Sequence, residues 1–203
     1  PLYKVKKNRQ ERYVKDDEEL SAYFMELSLQ DAKLFVNPEA PAIQGEALET
    51  LVQAYQNLID RLDRSKRKYP VEITHGLIRA PKLVPEDLTN EAHIHAWCET
   101  LVGILGDNPG STPTVDAVWD EERQIFVPNI SILLKGNRER VALSQNFLAG
   151  PEYRAISEMI DLLDDLVEEN AFIQRGERKQ VITYFGQAFI WLQSEARRGV
   201  DLQ

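Results

Sequence analysis

PLYKVKKNRQERYVKDD, residues 1–17, places apolar and β-branched residues on both sides of a short polar turn, and the organisation of the remaining chain follows from it. Leu2, Val5, Tyr13 and Val14 flank Lys7-Asn8-Arg9, a pattern that predicts two short strands joined by a tight turn. A two-stranded hairpin this polar is marginal in water, so it needs further strands, and this reading puts them outside the chain, before Pro1. At the far end Glu195-Ala-Arg-Arg-Gly199 closes a helix on a glycine, after which Val200–Gln203 begins a strand. Both ends therefore read as stubs of a larger host, expected to meet on one side of the fold with Arg197 and Arg198 beside the opening hairpin.

Between the stubs the hydrophobic period predicts an α+β body. Asp16-Asp17-Glu18-Glu19 supplies capping carboxylates for a short helix over Leu20–Tyr23, a simpler use of four adjacent acids than a metal site. Residues 24–36 then alternate around Gln30-Asp31, which predicts a hairpin. Leu48, Leu51, Tyr55, Leu58 and Leu62 recur at three- and four-residue steps, predicting one amphipathic helix over residues 45–68. Its last turns carry Arg61, Arg64, Lys66, Arg67 and Lys68, more cations than capping of a helix dipole needs. A short helix or turn over 71–80 and a second amphipathic helix over 91–105 follow.

Gly106–Pro113, GDNPGSTP, lacks the G-K-[ST] ending of a phosphate loop and reads as a linker and internal boundary. Past it the period changes to two, predicting a three-stranded meander between 115 and 143, with Phe126, Ile130, Ile132 and Leu134 facing the core. Pro128 lacks a backbone donor, so an edge position or a bulge is expected there. Helices over 151–169 and 185–198 complete the body. Glu168 and Glu169 would end the first of these, where negative charge is disfavoured, so Arg175, Arg178 and Lys179 in the loop that follows are expected to pair with them.

Composition bounds the function. The chain has 203 residues with 24 Lys and Arg against 33 Asp and Glu, a net charge of −9 that argues against a simple nucleic-acid binder. The opening fifteen residues reverse this balance, with Lys4, Lys6, Lys7, Arg9, Arg12 and Lys15 against Glu11 alone in the hairpin proper. Cys98 is the single cysteine, which excludes a disulfide framework and suggests a reducing compartment. No apolar run suits a membrane span and no signal-peptide pattern opens the chain, so a cytoplasmic setting is expected. His93 and His95, two apart on one helix, project to opposite sides, and the remaining His95–Cys98 pair is too few ligands for zinc. His75 shows no acid–base partner.

The end segments LYKVKKNRQERYVKDDEE and FGQAFIWLQSEARRGVDLQ, with NPEAPAIQGEALETLVQAYQ and PEYRAISEMIDLLDDLVEENAFIQRGER between them, closely resemble the B subunit of bacterial DNA gyrase, a type IIA topoisomerase. The resemblance covers essentially the whole chain. It implies a TOPRIM edge at residues 1–15, the insertion that Gram-negative gyrase B subunits carry at 16–196, and a return to the host at 197–203. The ends alone would also fit the B-type subunit of topoisomerase IV, which lacks such an insertion. The family's E-G-D-S and D-x-D-x-D-G motifs do not occur here, and its R-Y-K-G-L-G-E motif would begin just after Gln203, so an excised, non-catalytic segment is expected. No catalytic, metal or cofactor residue is assigned within it.

For the parent the resemblance implies ATP, Mg2+, the DNA gyrase A subunit in an A2B2 assembly, and double-stranded DNA. Lys4, Lys6, Lys7, Arg9, Arg12, Arg197 and Arg198 are the candidate DNA contacts. Arg64, Arg67, Lys68, Arg175, Arg178 and Lys179 are the candidate partner contacts. An independent acidic protein-interaction module is the alternative, and it would require the two ends to be self-sufficient edges.

Overall fold

The computed structural model describes every residue except Pro1 and Gly199, and of Asp201 the backbone only. Its elements in chain order are β1 (Tyr3–Lys7), β2 (Gln10–Val14), α1 (Asp17–Leu29), β3 (Ala32–Phe35), β4 (Ile43–Gln44), α2 (Glu46–Asp63), α3 (Val71–Arg79), a 3-10 turn (Pro85–Thr89) and α4 (Glu91–Leu105), then β5 (Thr114–Asp120), β6 (Ile125–Leu134), β7 (Asn137–Ala142), α5 (Gln145–Ala149), α6 (Pro151–Leu163), β8 (Phe172–Arg175), β9 (Arg178–Val181), α7 (Phe185–Arg197) and β10 (Val200–Leu202). Helices and purely antiparallel sheets make this an α+β chain. It divides into two units, one of Pro1–Gln53 with Leu163–Gln203, the other of Ala54–Leu162.

In the first unit β1 and β2 pair as the opening stretch predicts, turning at Asn8-Arg9 with Asn8 at φ 56°, a region that asparagine tolerates better than most residues. A third strand is supplied by the far end of the chain itself. β10 pairs antiparallel with β1, Val5 opposite Leu202, and the backbones of Lys4 and Gln203 exchange hydrogen bonds of 2.9 Å. The chain's two ends thus meet in one sheet of order β10-β1-β2.

The hairpin expected over 24–36 does not form. Leu20, Phe24 and Leu27 also step by four and three, and the capping acids carry the helix through them. Asp16 accepts from the Glu19 N–H at 2.9 Å while the Glu19 carboxylate accepts from the Lys15 N–H at 3.0 Å. Nucleated in this way, α1 runs to Leu29, and the chain becomes extended at β3 only after Asp31, at φ 57°. A second sheet, β4-β3-β8-β9, follows. Its β8–β9 hairpin takes the place of the expected loop; Phe172–Arg175 and Arg178–Val181 flank the two-residue turn Gly176-Glu177, with Gly176 at φ 59°, a glycine-containing hairpin turn.

The arginines of that hairpin do not pair with Glu168 and Glu169. The predicted helix over 151–169 stops at Leu163, because Asp164 and Asp165 at its C-terminus oppose the dipole and Asp165 turns to φ 60°. Glu168 therefore lies past the helix, its N–H donating to the Val36 carbonyl and its carboxylate accepting from the Asn37 amide, both at 3.0 Å. Arg175 instead donates to the Leu27 and Gln30 carbonyls at 2.9 and 3.3 Å, closing the open end of α1. Arg178 Nε reaches both oxygens of Glu195 on α7 at 2.9 and 3.1 Å, and that carboxylate side chain is only 7% exposed.

The second unit is built on α3, α4 and the β5-β6-β7 meander, all where the sequence places them. Ile73, Leu88, Ile94, Leu101, Leu105 and Ile132 are fully buried. Helix α3 approaches α4 closely at Gly76, where an added Cβ would stand 2.7 Å from a Leu105 methyl. The GDNPGSTP segment is no boundary. The Ser111 carbonyl accepts from the Leu133 N–H at 2.7 Å and its hydroxyl donates to the Leu105 carbonyl, tying the loop to both α4 and β6 inside one unit.

Pro128 sits in the central strand, paired with Ala117 and without a bulge, rather than at an edge. Its carbonyl accepts from the Leu143 N–H just past the end of β7, so its missing donor falls where that ladder has already finished. Of the four residues expected to face the core, Ile130 and Ile132 are buried, and Phe126 and Leu134 are half-buried.

Arg178→Ala is expected to lower the stability of the chain by about 2–4 kcal/mol in chemical denaturation, because it strands a carboxylate that is out of water. Lys179→Ala, on the exposed side of the same strand, should change it by no more than about 0.5 kcal/mol.

Candidate functional site

Lys4, Lys6, Lys7, Arg9 and Arg12 share a hairpin but not a surface. Alternation along paired strands sends Lys4 and Lys6 to one face and Lys7 and Arg12 to the other, with Arg9 in the turn. Lys4 is held at 3.3 Å by Glu11. Arg12 lies 3.5 Å from Glu26 and 5.4 Å over the Tyr23 ring. That leaves the tip, Lys6, Lys7 and Arg9, as the cationic end of the hairpin. Between it and α1 opens a cleft of about 870 Å³, lined by Lys7, Arg9, Arg12, Tyr23 and Glu26.

Arg197 does not join the hairpin directly. Its guanidinium stands 5.3 Å over the Phe24 ring on α1. Arg198 follows α7 as its C-cap, its N–H donating to the Glu195 carbonyl at 3.2 Å.

The second cationic cluster is a turn rather than a helix end. Helix α2 stops at Asp63, short of the predicted 68, because Ser65 and Tyr69 bend the chain back. The Ser65 hydroxyl and the N–H groups of Ser65 and Tyr69 all reach the Leu62 carbonyl, and Lys68 takes φ 46°. Only Arg61 remains in the last helical turn, and Arg64 donates from Nε to the Asp60 carbonyl at 3.2 Å. Tyr69 is buried, which raises its hydroxyl pKa, and Arg67 beside it opposes that rise. A cleft of about 230 Å³ lies between Lys66 and Arg67 on one side and Gly150, Pro151 and Glu152 at the start of α6 on the other. Lys66, Arg67 and Lys68 are exposed.

The groups that invite a metal or acid–base reading do not form one cluster among the described residues. His93 and His95 are exposed, 3.8 Å from Asp87 and 3.7 Å from Glu91 respectively. Cys98 is buried, and burial with the nearby Asp116 charge pushes its thiol up to about 11, so it is not a poised nucleophile. Among the described residues no group of three or more His, Cys, Asp or Glu comes together to hold an ion. None of the described helices is long and apolar enough to cross a membrane.

His75 does have a partner that spacing alone could not reveal. The Tyr55 hydroxyl, on α2, meets its Nδ1, and the two rings stack with centroids 5.3 Å apart. Burial, and then the Arg79 charge, pull its pKa down to about 4, which keeps the ring neutral and Nδ1 able to accept.

The family described as DNA gyrase B subunit insert domain matches residues 32–196, and the one described as GyrB, hook matches residues 1–29. The chain belongs to the DNA gyrase B subunit insert domain family. Among curated relatives, the DNA gyrase B subunit of Caulobacter vibrioides is 24% identical over 192 residues, covering 90% of this chain and 21% of the relative. The type 2 topoisomerase B subunit of Aquifex aeolicus is 25% identical over 210 residues, covering 100% of this chain and 24% of the relative. This chain therefore spans between a fifth and a quarter of the length of these relatives.

The neutral His75 predicts a pH dependence. Between the ordinary histidine value of 6.5 and about 4 the unfolded chain binds a proton that the folded one refuses. Its contribution should therefore be intact above 6.5, fall as pH drops to about 4, and amount to about 3 kcal/mol. Denaturation midpoints of the wild type and His75→Gln should have different slopes in that window and parallel ones above pH 7.

Proposed function

We propose that this chain is the insertion region of a gyrase B subunit and serves without catalytic groups of its own. Its parent would be an ATP-driven type IIA topoisomerase that negatively supercoils DNA in the cytoplasm, assembled with the gyrase A subunit as A2B2. Residues 1–15 and 197–203 would then belong to the edge of a TOPRIM domain, and 16–196 to the insertion. The match to the insert family over residues 32–196 carries this reading. It is supported by the pairing of β1 with β10, since an inserted segment must leave and re-enter its host at neighbouring points.

The residues present do not fit the ATP and Mg2+ of the parent. Among the described residues no group of three or more His, Cys, Asp or Glu is placed to hold a metal ion, and the sequence has no phosphate-loop ending, which supports a role without metal- or nucleotide-dependent chemistry. What the chain offers is charge. The hairpin tip is a small cationic projection suited to phosphate, and the Arg64–Lys68 turn is a second one suited to a neighbouring protein of the assembly. Phosphate contacts carry no base information, so DNA engagement would be weak, indifferent to sequence and steep in salt.

Titration of the chain with a mixed-sequence duplex at several salt concentrations tests this division. Reversing Lys6, Lys7 and Arg9 to Glu should reduce affinity and flatten the salt slope, by about 0.9 for each phosphate no longer neutralised. Reversing Arg64, Arg67 and Lys68 should leave the fragment's DNA affinity almost unchanged while impairing supercoiling by the assembled enzyme. Equal loss of DNA affinity from both, or from neither, would refute it. The isolated chain should show no ATP turnover in a coupled assay.

A further inference from the structure

The β4-β3-β8-β9 sheet has two unlike faces. Ala32, Leu34 and Ile173 are buried on one, and Arg175 and Arg178 are engaged on that same side with α1 and α7. The opposite face is laid out in two rows by the strand register. Lys33 lies opposite Gln174, and Gln174 opposite Lys179. In the adjacent row Phe35 lies opposite Phe172, and Phe172 opposite Val181.

This face is open and cationic. Val181 is 63% exposed, Lys33 and Lys179 are exposed, and Phe35, Phe172 and Gln174 are half-buried. In a chain of net charge −9 neither row contains an acid, and neither lysine has an acidic partner among the described residues. The phenylalanine rings stack at 4.5 Å and 14°, and Lys179 Nζ stands 5.0 Å from the centre of Phe172. An apolar ridge with a parallel line of positive charge, without acidic partners among the described residues, is thus left on the surface.

We propose that this face is a docking surface for an acidic amphipathic helix of another protein. Four strands at the usual spacing give a platform ~14 Å across, and four-residue strands give it ~13 Å of length, enough to seat about two turns of a helix. Apolar residues at three- and four-residue steps would lie on Phe35, Phe172 and Val181, and carboxylates along one flank would meet Lys33 and Lys179. Charge complementarity selects an acidic occupant. Single-stranded nucleic acid fits less well, because base stacking needs a free ring face and Phe172 has Phe35 on its β3 side and Lys179 on its β9 side. This reading does not depend on the roles of the hairpin tip or the Arg64–Lys68 turn.

The test is an amide NMR titration of the full chain with a designed helical peptide of about four turns, carrying leucines along one stripe and glutamates on both flanks. A matched peptide with lysine for every glutamate and an oligothymidine strand serve as comparisons. The acidic peptide should give saturable shifts confined to β3, β8 and β9, weakened at least tenfold by Lys33→Glu with Lys179→Glu and also by Val181→Asp. These positions are exposed, and unchanged amide positions elsewhere would verify that the variants fold. No binding of the acidic peptide, equal binding of the lysine peptide, shifts centred elsewhere, insensitivity to both variants, or oligothymidine occupying this face in preference to the peptide would each overturn the proposal.

Discussion

The first unit is held by a carboxylate that has almost no water. Glu195 on α7 gives up its hydration, and the guanidinium of Arg178, contacting both oxygens, is what makes that tolerable. Arg175 lies directly across the β8–β9 ladder from Arg178, an arrangement of like charges that would repel if left alone. It is stable because Arg175 faces carbonyls instead, those at the open end of α1. One hairpin thereby grips the helix that follows β2 and the helix that precedes β10. Alignment of those two helices brings the opening and closing strands into register, and the three-stranded sheet forms without help from a covalent link.

The two units show how differently sequence pattern converts into structure. Helix α4 and the meander were legible because Ile94, Trp97 and Leu101, and later Ile130 and Ile132, repeat at periods that admit one reading. Residues 24–36 admitted two, since Phe24 and Leu27 suit a strand or a helix, and the Asp16 cap upstream, with Glu19 reaching back to the Lys15 N–H, decided it. Helix ends were overextended at both 63 and 163. Runs of charge at 64–68 and 164–169 continue a helical composition on paper, but Ser65 and Tyr69 turn the first, and Asp165 in the left-handed region turns the second.

Candidate contacts were legible as residue types but not as surfaces. That Arg175, Arg178 and Lys179 do unlike things follows from a two-residue turn and a pleat, which a reading of RGERKQ as a loop could not convey. Pleating likewise separates Lys6 from Lys7, neighbours in sequence that point to opposite sides. The Tyr55–His75 contact joins residues twenty apart on different helices, and no local spacing announces it. What sequence did supply directly was the family resemblance, because that rests on long strings rather than on any one side chain.

The pairing of β1 with β10 also fixes how the fold would respond to mechanical load. Strand β1 begins where β10 ends, with Lys4 beside Gln203 and Val5 beside Leu202, so a force applied through both ends arrives at the same edge. Antiparallel strands pulled from that edge peel like a zipper, breaking the Lys4–Gln203 bonds before any others are strained, whereas a shear geometry would load the whole ladder at once. Such a load would therefore unfasten the short β10 strand at low force while Arg175 and Arg178 kept α1 and α7 on the β8–β9 hairpin, a compliant edge beside a stiffer clamp.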